Sequence, residues 1–250
     1  MAKTLSEWLE TDVRAVRDEP LRWLSSQYFF RDPPRPAYSD LGFFFAPADG
    51  IILYQREVGP EEALLDIKGR SYSLREAMRD AYYDRPSFVL GIFMTFYDVH
   101  VNRVPYPGRL SYKKLEAIST VNRPMLSVEH ALLEELRLRL DGAEYLRDNQ
   151  RVLNRVWSDH LGDAYYILQI ADYDVDSVTP FELGQNEPVG QGQRFSQIRY
   201  GSQVDLIVPL SERFEFEPVQ ETGAHVEAGV DPVVRIRSSE GKPEGRGIDA

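Results

Sequence analysis

The segment Gly192-Gln-Arg-Phe-Ser-Gln-Ile-Arg-Tyr-Gly-Ser-Gln-Val-Asp-Leu-Ile-Val-Pro209 ends in a strand pattern. Val204, Leu206 and Val208 alternate along it, so their side chains share one face of an extended chain. The turn-rich stretch Thr222-Gly-Ala-His-Val-Glu-Ala-Gly229 follows soon after. Alternation and frequent turns together predict barrel-like sheets.

Short apolar runs recur through the rest of the chain, for example Gly42 to Phe45, Ile51 to Tyr54 and Tyr165 to Ile170. Runs of this length, with 12% aromatic residues, favour many short strands over a helical bundle. A chain of 250 residues with 42% hydrophobic residues is long enough to bury a sizeable core. We therefore expect mixed structure in which strands dominate.

The composition excludes several classes of function. No cysteine occurs, which removes disulfides, thiolate metal sites and cysteine nucleophiles. A formal net charge of -11 argues against a nucleic-acid partner, since neutralising phosphates requires clustered Lys and Arg.

Residues Met1 to Asp18 lack the apolar core of a signal peptide, and no apolar run is long enough for a transmembrane helix. We expect neither secretion nor membrane insertion.

Three regions are predicted along the chain. Residues 1–36 form an amphipathic helical segment, in which Thr4-Leu-Ser-Glu7 is a capping box and a second helix starts near Asp18. Residues 37–237 form the main domain. Within it, helical spacing relates five apolar residues: Ala131, Leu132, Leu133, Leu136 and Leu140. Residues 238–250 have almost nothing to bury and are expected to be disordered.

Three separated segments contain residues suited to chemistry: Ala46-Pro-Ala-Asp-Gly50, Phe96-Tyr-Asp-Val-His-Val-Asn-Arg-Val-Pro-Tyr-Pro-Gly108, and the Gly201-Ser202 pair. Each alone has an ordinary explanation, such as a turn at Asp49-Gly50 or a bend before a strand at Gly201-Ser202. Together and in this order they resemble the phosphatidylserine decarboxylase family. Proenzymes of that family carry a Pro-Ala-Asp-Gly turn, an Asp-x-His strand and a C-terminal Gly-Ser processing site.

Two further segments fit the resemblance, which extends from about Phe30 to Ile236. Ile67-Lys-Gly-Arg-Ser-Tyr-Ser-Leu74 is similar to the family's Lys-Gly-x-x-Tyr-Ser-Leu segment. Met125-Leu-Ser-Val-Glu-His130 is similar to the segment that follows its His strand. The resemblance implies an α+β fold, in which residues 37–237 form a catalytic domain with a lipoyl-like β-barrel or sandwich core.

The resemblance also implies self-cleavage between Gly201 and Ser202. Attack of the Ser202 hydroxyl on the preceding carbonyl needs a strained peptide, which a glycine permits at low steric cost. Serine is a weak nucleophile, so a base must take its proton and a carboxylate must orient that base. The family pattern assigns these two roles to His100 and Asp49.

The product of this cleavage is the cofactor. Elimination converts residue 202 into dehydroalanine, and hydrolysis leaves a pyruvoyl group at the new chain terminus. Its ketone condenses with a substrate amine and accepts electrons when carbon dioxide leaves, as pyridoxal phosphate does in other enzymes. His100 is the candidate acid for the final protonation. We expect a pyruvoyl group made from Ser202, with no metal and no pyridoxal phosphate.

Three more residues are candidates for supporting roles: Asp98, Asn102 and Ser127. Asp98, His100 and Asn102 are spaced by two, so an extended strand would place them on one face. Asp98 is therefore an alternative to Asp49 as the carboxylate that orients His100.

Metal sites are not expected. Ser177 occupies the place where a calcium loop of the EF-hand type requires glycine. His130, His160 and His225 show no metal-ligand spacing and are expected to be ordinary surface or core histidines.

The chain departs from the common family pattern at two places. Arg103 occupies the position of a second histidine in many members, and Val99 to Arg103 resembles a shorter subgroup instead. That subgroup often carries arginines after the strand corresponding to Ile167 to Ile170, where this chain has Asp172-Tyr-Asp-Val-Asp176. An acidic patch there would repel a phosphate head group. The substrate is therefore the least determined part of the resemblance.

Three functions follow as hypotheses. The leading one is decarboxylation of phosphatidylserine to phosphatidylethanolamine. The first alternative keeps this chemistry but acts on another serine-headed lipid or a small amine-bearing carboxylate. The second is a non-catalytic scaffold, against which the intact Gly201, Ser202, His100 and Asp49 count. The resemblance further implies peripheral membrane contact, a homodimer, and a location in the cytoplasm or at the inner face of the cell membrane.

Overall fold

The computed structural model describes residues 1–36, 39–67, 70–118, 122–140, 142–172, 177–181, 184–199 and 202–239. The α-helices are α1 (Leu5–Trp8), α2 (Leu21–Trp23), α3 (Leu74–Met78), α4 (Leu126–Leu133) and α5 (Tyr145–Asp148), and π-helical turns at Leu9–Val13 and Leu24–Tyr28 continue α1 and α2. The strands are β1 (Phe43–Phe45), β2 (Gly50–Val58), β3 (Ala63–Ile67), β4 (Arg70–Ser73), β5 (Ser87–Met94), β6 (Val101–Arg103), β7 (Gly108–Leu115), β8 (Arg151–Ser158), β9 (Asp163–Ile170), β10 (Val178–Pro180), β11 (Glu187–Val189), β12 (Arg194–Ile198), β13 (Ser202–Pro209), β14 (Phe214–Pro218), β15 (His225–Val226) and β16 (Pro232–Ser238). Strands predominate, which confirms a strand-rich α+β fold.

An antiparallel sheet of eight strands organises the molecule, in the order β11-β7-β8-β9-β13-β5-β2-β15. Smaller sheets have the orders β1-β16-β14, β10-β12-β6 and β3-β4. Strand β13 lies inside the large sheet, with β9 on one side and β5 on the other. The described sheets do not close into a barrel, so the expected lipoyl-like core is not confirmed.

Strand β13 is buried along its whole length because apolar clusters cover both faces of the large sheet. The alternating residues Val204, Leu206 and Val208 pack into one cluster, while Ile207 packs into the other, which contains residues of the helices. The strand pattern read from the sequence is thereby confirmed. Each such side chain contributes about 1.5–3 kcal/mol on burial, so β13 is a firmly held element.

The N-terminal segment packs against the main body of the chain. The predicted capping box is present: the Glu7 amide donates to Thr4 Oγ1 at 3.2 Å, and the Thr4 amide donates to Glu7 Oε2 at 2.9 Å. Helix α1 is a single turn that continues as a π-helical turn, so the amphipathic helices expected in residues 1–36 are not confirmed. Trp8 and Val13 are buried in the cluster that also contains residues of the large sheet.

The predicted interior helix forms only in part. Helix α4 ends at Leu133, so the helical prediction is wrong for Leu136 and Leu140. Leu136 has φ of 53°, a left-handed conformation that is unfavourable for a residue with a side chain and incompatible with a continuing helix. Of the tail predicted to be disordered, residues 240–250 lie outside the described part of the chain.

Candidate active site

Ser202 is the first residue of β13 and is fully buried. It lies opposite Met94 of β5 in the antiparallel register. Because side chains alternate along a strand, Ser202 shares the face of Val204, which belongs to the same apolar cluster as Met94 and Ile198. Gly201, the other half of the predicted cleavage site, lies outside the described residues.

The imidazole of His100 is buried beside the end of β12, shortly before Ser202 in the chain. Its Nδ1 lies 3.1 Å from the carbonyl oxygen of Ile198, and its Nε2 lies 3.0 Å from the carbonyl oxygen of Thr95. The ring of Phe29 stacks on it, with 4.7 Å between ring centroids. Burial lowers the pKa of His100. A neutral imidazole donates from one nitrogen only, so one of these two carbonyls faces an unprotonated ring nitrogen and that contact is not a hydrogen bond.

Asp49 directly precedes β2, and its carboxylate is held by Arg35. Two guanidinium nitrogens of Arg35 donate to the two carboxylate oxygens at 2.6 Å each, and the Ala228 amide donates to one of them at 2.8 Å. Both side chains are only 5% exposed, so this is a buried bidentate ion pair. No hydrogen bond joins the described side chains of Asp49 and His100. The orientation of His100 by Asp49 therefore stays a prediction, without direct contact to support it.

Asp98 lies in the turn between β5 and β6. Strand β6 starts only at Val101, so the expectation that Asp98, His100 and Asn102 share the face of one strand is wrong. The amide and hydroxyl of Thr95 donate to Asp98 Oδ2 at 2.7 and 2.8 Å, which closes the turn. The carbonyl of Thr95 in turn faces Nε2 of His100. Asp98 thus supports the residue that contacts His100, and no hydrogen bond joins the described side chains of Asp98 and His100.

His225, expected to be an ordinary histidine, pairs with Asp98. Its Nε2 lies 2.6 Å from Asp98 Oδ1, and its ring stacks on Trp8 with 4.7 Å between centroids. Burial by itself would lower the pKa of His225, but the Asp98 carboxylate reverses the effect and the pKa is raised. Burial likewise opposes ionisation of Asp98, yet His225 holds the pKa of Asp98 below its usual value. No local signal could have revealed this pair, since the two residues are 127 positions apart.

Asn102 and Ser127, both predicted to have supporting roles, lie in different environments. Asn102 is fully buried on β6, where its Oδ1 accepts a hydrogen bond from Gln169 Nε2 at 2.6 Å. Its Nδ2 faces Met94 Sδ at 3.6 Å. Asn102 therefore lies beside the residue that is opposite Ser202 in the register. Ser127 is exposed on α4.

Glu129 of α4 is a buried carboxyl group that sequence reasoning missed. Its Oε1 accepts a hydrogen bond from the Phe96 amide at 2.8 Å, and burial raises its pKa to about 8. Phe96 belongs to the turn that leads to His100. Burial thus favours the neutral form of the Glu129 carboxyl group next to this turn. A glutamate within a short helical pattern gives no sequence signal of burial.

Among the described residues, no group of three or more His, Cys, Asp or Glu could hold a metal ion. In the same part of the chain, no helix is long and apolar enough to cross a membrane. His130 is exposed near Glu134, and Nδ1 of His160 lies 2.6 Å from the Tyr106 hydroxyl.

Comparisons with known proteins match most of the chain. A family model described as phosphatidylserine decarboxylase matches residues 26–233, a range that includes Asp49, His100 and Ser202. A phosphatidylserine decarboxylase proenzyme of Novosphingobium aromaticivorans is 33% identical over 209 residues, which cover 83% of this chain and 71% of the relative. Another from Pelagibacter ubique is 29% identical over 180 residues, covering 72% and 67%. A proposed archaetidylserine decarboxylase proenzyme of Methanocaldococcus jannaschii is 29% identical over 190 residues, covering 75% and 80%.

Proposed function

The chain belongs to the phosphatidylserine decarboxylase family, a family of carboxy-lyases, and we propose that it cuts itself between Gly201 and Ser202 and then decarboxylates a serine-headed phospholipid. One observation carries the proposal. Ser202, from the only Gly-Ser pair in the chain, is buried at the start of an interior strand, and a buried histidine contacts Ile198 just before it.

Self-cleavage begins when His100 takes the proton of the Ser202 hydroxyl. The low pKa of His100 supports this role, because the imidazole is then neutral and able to accept a proton at neutral pH. Ser202 Oγ bonds to the carbonyl carbon of Gly201, and the peptide C–N bond breaks as its nitrogen gains a proton, which leaves an ester. Loss of the α-proton of residue 202 expels the Gly201 carboxylate, and hydrolysis of the resulting dehydroalanine releases ammonia.

The surroundings of Ser202 fit a pyruvoyl group. The position is fully buried, which excludes bulk water, and its neighbours on the same face, Met94 and Val204, are apolar. A pyruvoyl group there would supply a carbonyl that condenses with the substrate amine and takes up the electron pair released with carbon dioxide. His100 would deliver the proton that replaces carbon dioxide. Arg103 cannot share this role, since a guanidinium stays protonated at working pH.

The names of the relatives specify two lipids, phosphatidylserine and archaetidylserine. We take phosphatidylserine as the substrate, with archaetidylserine or a small amine-bearing carboxylate as alternatives. The acidic stretch expected to repel a phosphate begins with Asp172, which is buried and accepts a hydrogen bond from the Met125 amide at 3.0 Å. The carboxylate of Asp172 therefore bonds to the protein's own backbone in the interior. Residues 173–176 lie outside the described part of the chain.

A lipid substrate requires contact with a membrane surface. Leu126 and Leu136 are 58% and 53% exposed, and Leu136 borders an open cleft whose lining combines apolar side chains, such as Leu9, with charged ones, such as Glu10 and Arg17. The two exposed leucines support peripheral contact with the inner face of the membrane by a cytoplasmic protein. A homodimer stays part of the proposal on family grounds alone.

Release of carbon dioxide tests the proposal. The purified protein and its Ser202→Ala variant are mixed with vesicles of phosphatidylserine, vesicles of archaetidylserine, or free serine. We expect release from phosphatidylserine by the unmodified protein and none by the variant, because no hydroxyl remains to start processing. Release from archaetidylserine alone would change the assigned lipid. Release from none of them would contradict the proposal and favour the scaffold.

A further inference from the structure

Asn102 contacts both strands that flank the start of β13. Met94 of β5 lies opposite Ser202, and Gln169 of β9 lies opposite Val204. Opposite residues of an antiparallel pair share a face, and so do alternate residues of one strand. Met94, Ser202, Val204 and Gln169 therefore all face one side of the sheet. Asn102, which bonds to both Met94 and Gln169, spans β13 on that side.

A chain of three buried amides determines which way Asn102 points. Asn154 Nδ2 donates to the carbonyl oxygen of Ile167 at 3.1 Å and to Gln169 Oε1 at 3.0 Å. A main-chain carbonyl only accepts, so the nitrogen of Asn154 must face Ile167. Gln169 consequently turns its oxygen to Asn154 and its nitrogen to Asn102, where Nε2 donates to Oδ1 at 2.6 Å. This leaves the amide nitrogen of Asn102 directed at Met94.

The acceptor that Asn102 finds there is a poor one. A thioether sulfur accepts hydrogen bonds only weakly, and Sδ of Met94 is 3.6 Å from Asn102 Nδ2. Asn102 is fully buried, so bulk solvent does not reach it. A stronger acceptor that forms next to Ser202 could therefore receive the hydrogen bond from Asn102 Nδ2, at the cost of only the weak contact with Met94. Preorganised donors of this kind stabilise negative charge that develops during a reaction.

We propose that Asn102 Nδ2 donates a hydrogen bond to the oxyanion that forms when Ser202 Oγ adds to the preceding carbonyl. In this step the Oγ–C bond forms, the carbonyl π electrons move onto oxygen, and the hydroxyl proton passes to the general base. Asn102 is thus a catalytic residue of self-cleavage, while Gln169 and Asn154 are positioning residues that fix its direction. The inference rests on the proposed self-cleavage.

The test follows conversion of the full-length precursor during cell-free synthesis, where cleavage can be timed. Asn102→Asp keeps the size of the side chain and the acceptor for Gln169 but removes the donor. Loss of one such donor typically slows a reaction by about 100-fold or more, and we expect that loss here. Gln169→Glu should also slow conversion, and more so as pH rises, because an ionised carboxylate cannot donate to Oδ1 and Asn102 must turn its nitrogen away from Met94.

Tyr54→Phe is the matched control. It removes a buried hydroxyl that bonds to Asp205, which lies on the opposite face of β13, and it should convert at the unmodified rate. Equal slowing in all three variants would overturn the inference, since general loss of packing would explain it. Normal conversion of Asn102→Asp would also overturn it. If Asn102→Asp shows no cooperative thermal unfolding, the conversion rate of Gln169→Glu becomes the test, because Asn102 itself is unchanged in that variant. An uncut unmodified protein would instead contradict the proposed function.

Discussion

The carboxylate of Asp98 and the imidazole of His225 form a buried pair, with 2.6 Å between Oδ1 and Nε2. Trp8 of the N-terminal segment stacks on the imidazole, and the amide and hydroxyl of Thr95 donate hydrogen bonds to the other carboxylate oxygen of Asp98. The pair therefore connects the N-terminal segment and β15 to the turn that positions His100.

This pair predicts a pH range of greatest stability. Because the pKa of His225 is raised, its contribution is complete below about 6.5, the unfolded pKa, and is lost as pH rises through the folded pKa. Because the pKa of Asp98 is lowered, its contribution is complete above about 3.9 and is lost as pH falls through the folded pKa. We expect His225→Gln to lower the free energy of unfolding by about 3–5 kcal/mol near pH 6, and by less in alkaline solution. Urea unfolding at several pH values measures this. A pH-independent difference would count against an ion pair.

Asp205 is expected to make the folded protein less stable as pH rises through mildly acidic values, which is opposite to the effect of Asp98. Its carboxylate is fully buried, with the Tyr54 hydroxyl at 2.9 Å and Gln203 Nε2 at 2.7 Å, and burial raises its pKa to about 6. The folded protein then binds a proton that the unfolded chain releases, so stability falls as pH rises from about 4 to about 6. This loss of stability amounts to about 3 kcal/mol and should be absent in Asp205→Asn. Identical pH profiles of unfolding for variant and unmodified protein would show that Asp205 ionises freely.

His100→Ala tests the proposed base of self-cleavage. Removal of a positioned general base typically costs about 100-fold or more in rate, so this variant should remain largely uncut. His130→Ala is a suitable control, since His130 is exposed on α4. The proportion of precursor on a denaturing gel is the measurement. Normal cleavage with slow decarboxylation would restrict His100 to the protonation step, and normal cleavage with normal turnover would remove it from the mechanism.

Variants of Arg35 and Asp49 test whether the carboxylate of Asp49 takes part in self-cleavage. If the ion pair is only structural, Arg35→Met and Asp49→Asn should slow cleavage to similar extents, because each breaks the same buried contact. If Asp49 acts on His100 during cleavage, Asp49→Asn should be at least about 10-fold slower than Arg35→Met. Cleavage rates and melting temperatures of both variants and of the double variant separate the two cases. Normal cleavage of Asp49→Asn would contradict any role for this carboxylate.

Local patterns in the sequence predicted the elements that depend on near neighbours. The alternation of Val204, Leu206 and Val208 marks β13 because period-two burial is a property of a single strand. Thr4 and Glu7 form the predicted cap because both partners lie within one turn. The end of α4 was mispredicted because apolar spacing continues past the point where Leu136 adopts a left-handed conformation.

The candidate site depends on contacts that no local pattern encodes. The bond between Gln169 and Asn102 joins residues 67 positions apart, and that between Arg35 and Asp49 joins a proline-rich segment to a turn. Asp98 was assigned to a strand because its spacing from His100 fits an extended chain, yet Thr95 closes a turn there instead. Charged and amide side chains find such partners only when the sheets assemble.

The mass of the purified protein shows whether Ser202 starts self-cleavage. If Ser202 attacks the preceding peptide bond, the unmodified protein consists of one fragment that ends at Gly201 and one that begins with a blocked residue 202 and resists Edman degradation. Ser202→Ala should then give one full-length mass, and Ser202→Cys should be cut slowly, because a thiol can still attack. A single full-length mass for the unmodified protein, or cleavage that persists in Ser202→Ala, would show that Ser202 does not attack the preceding peptide bond.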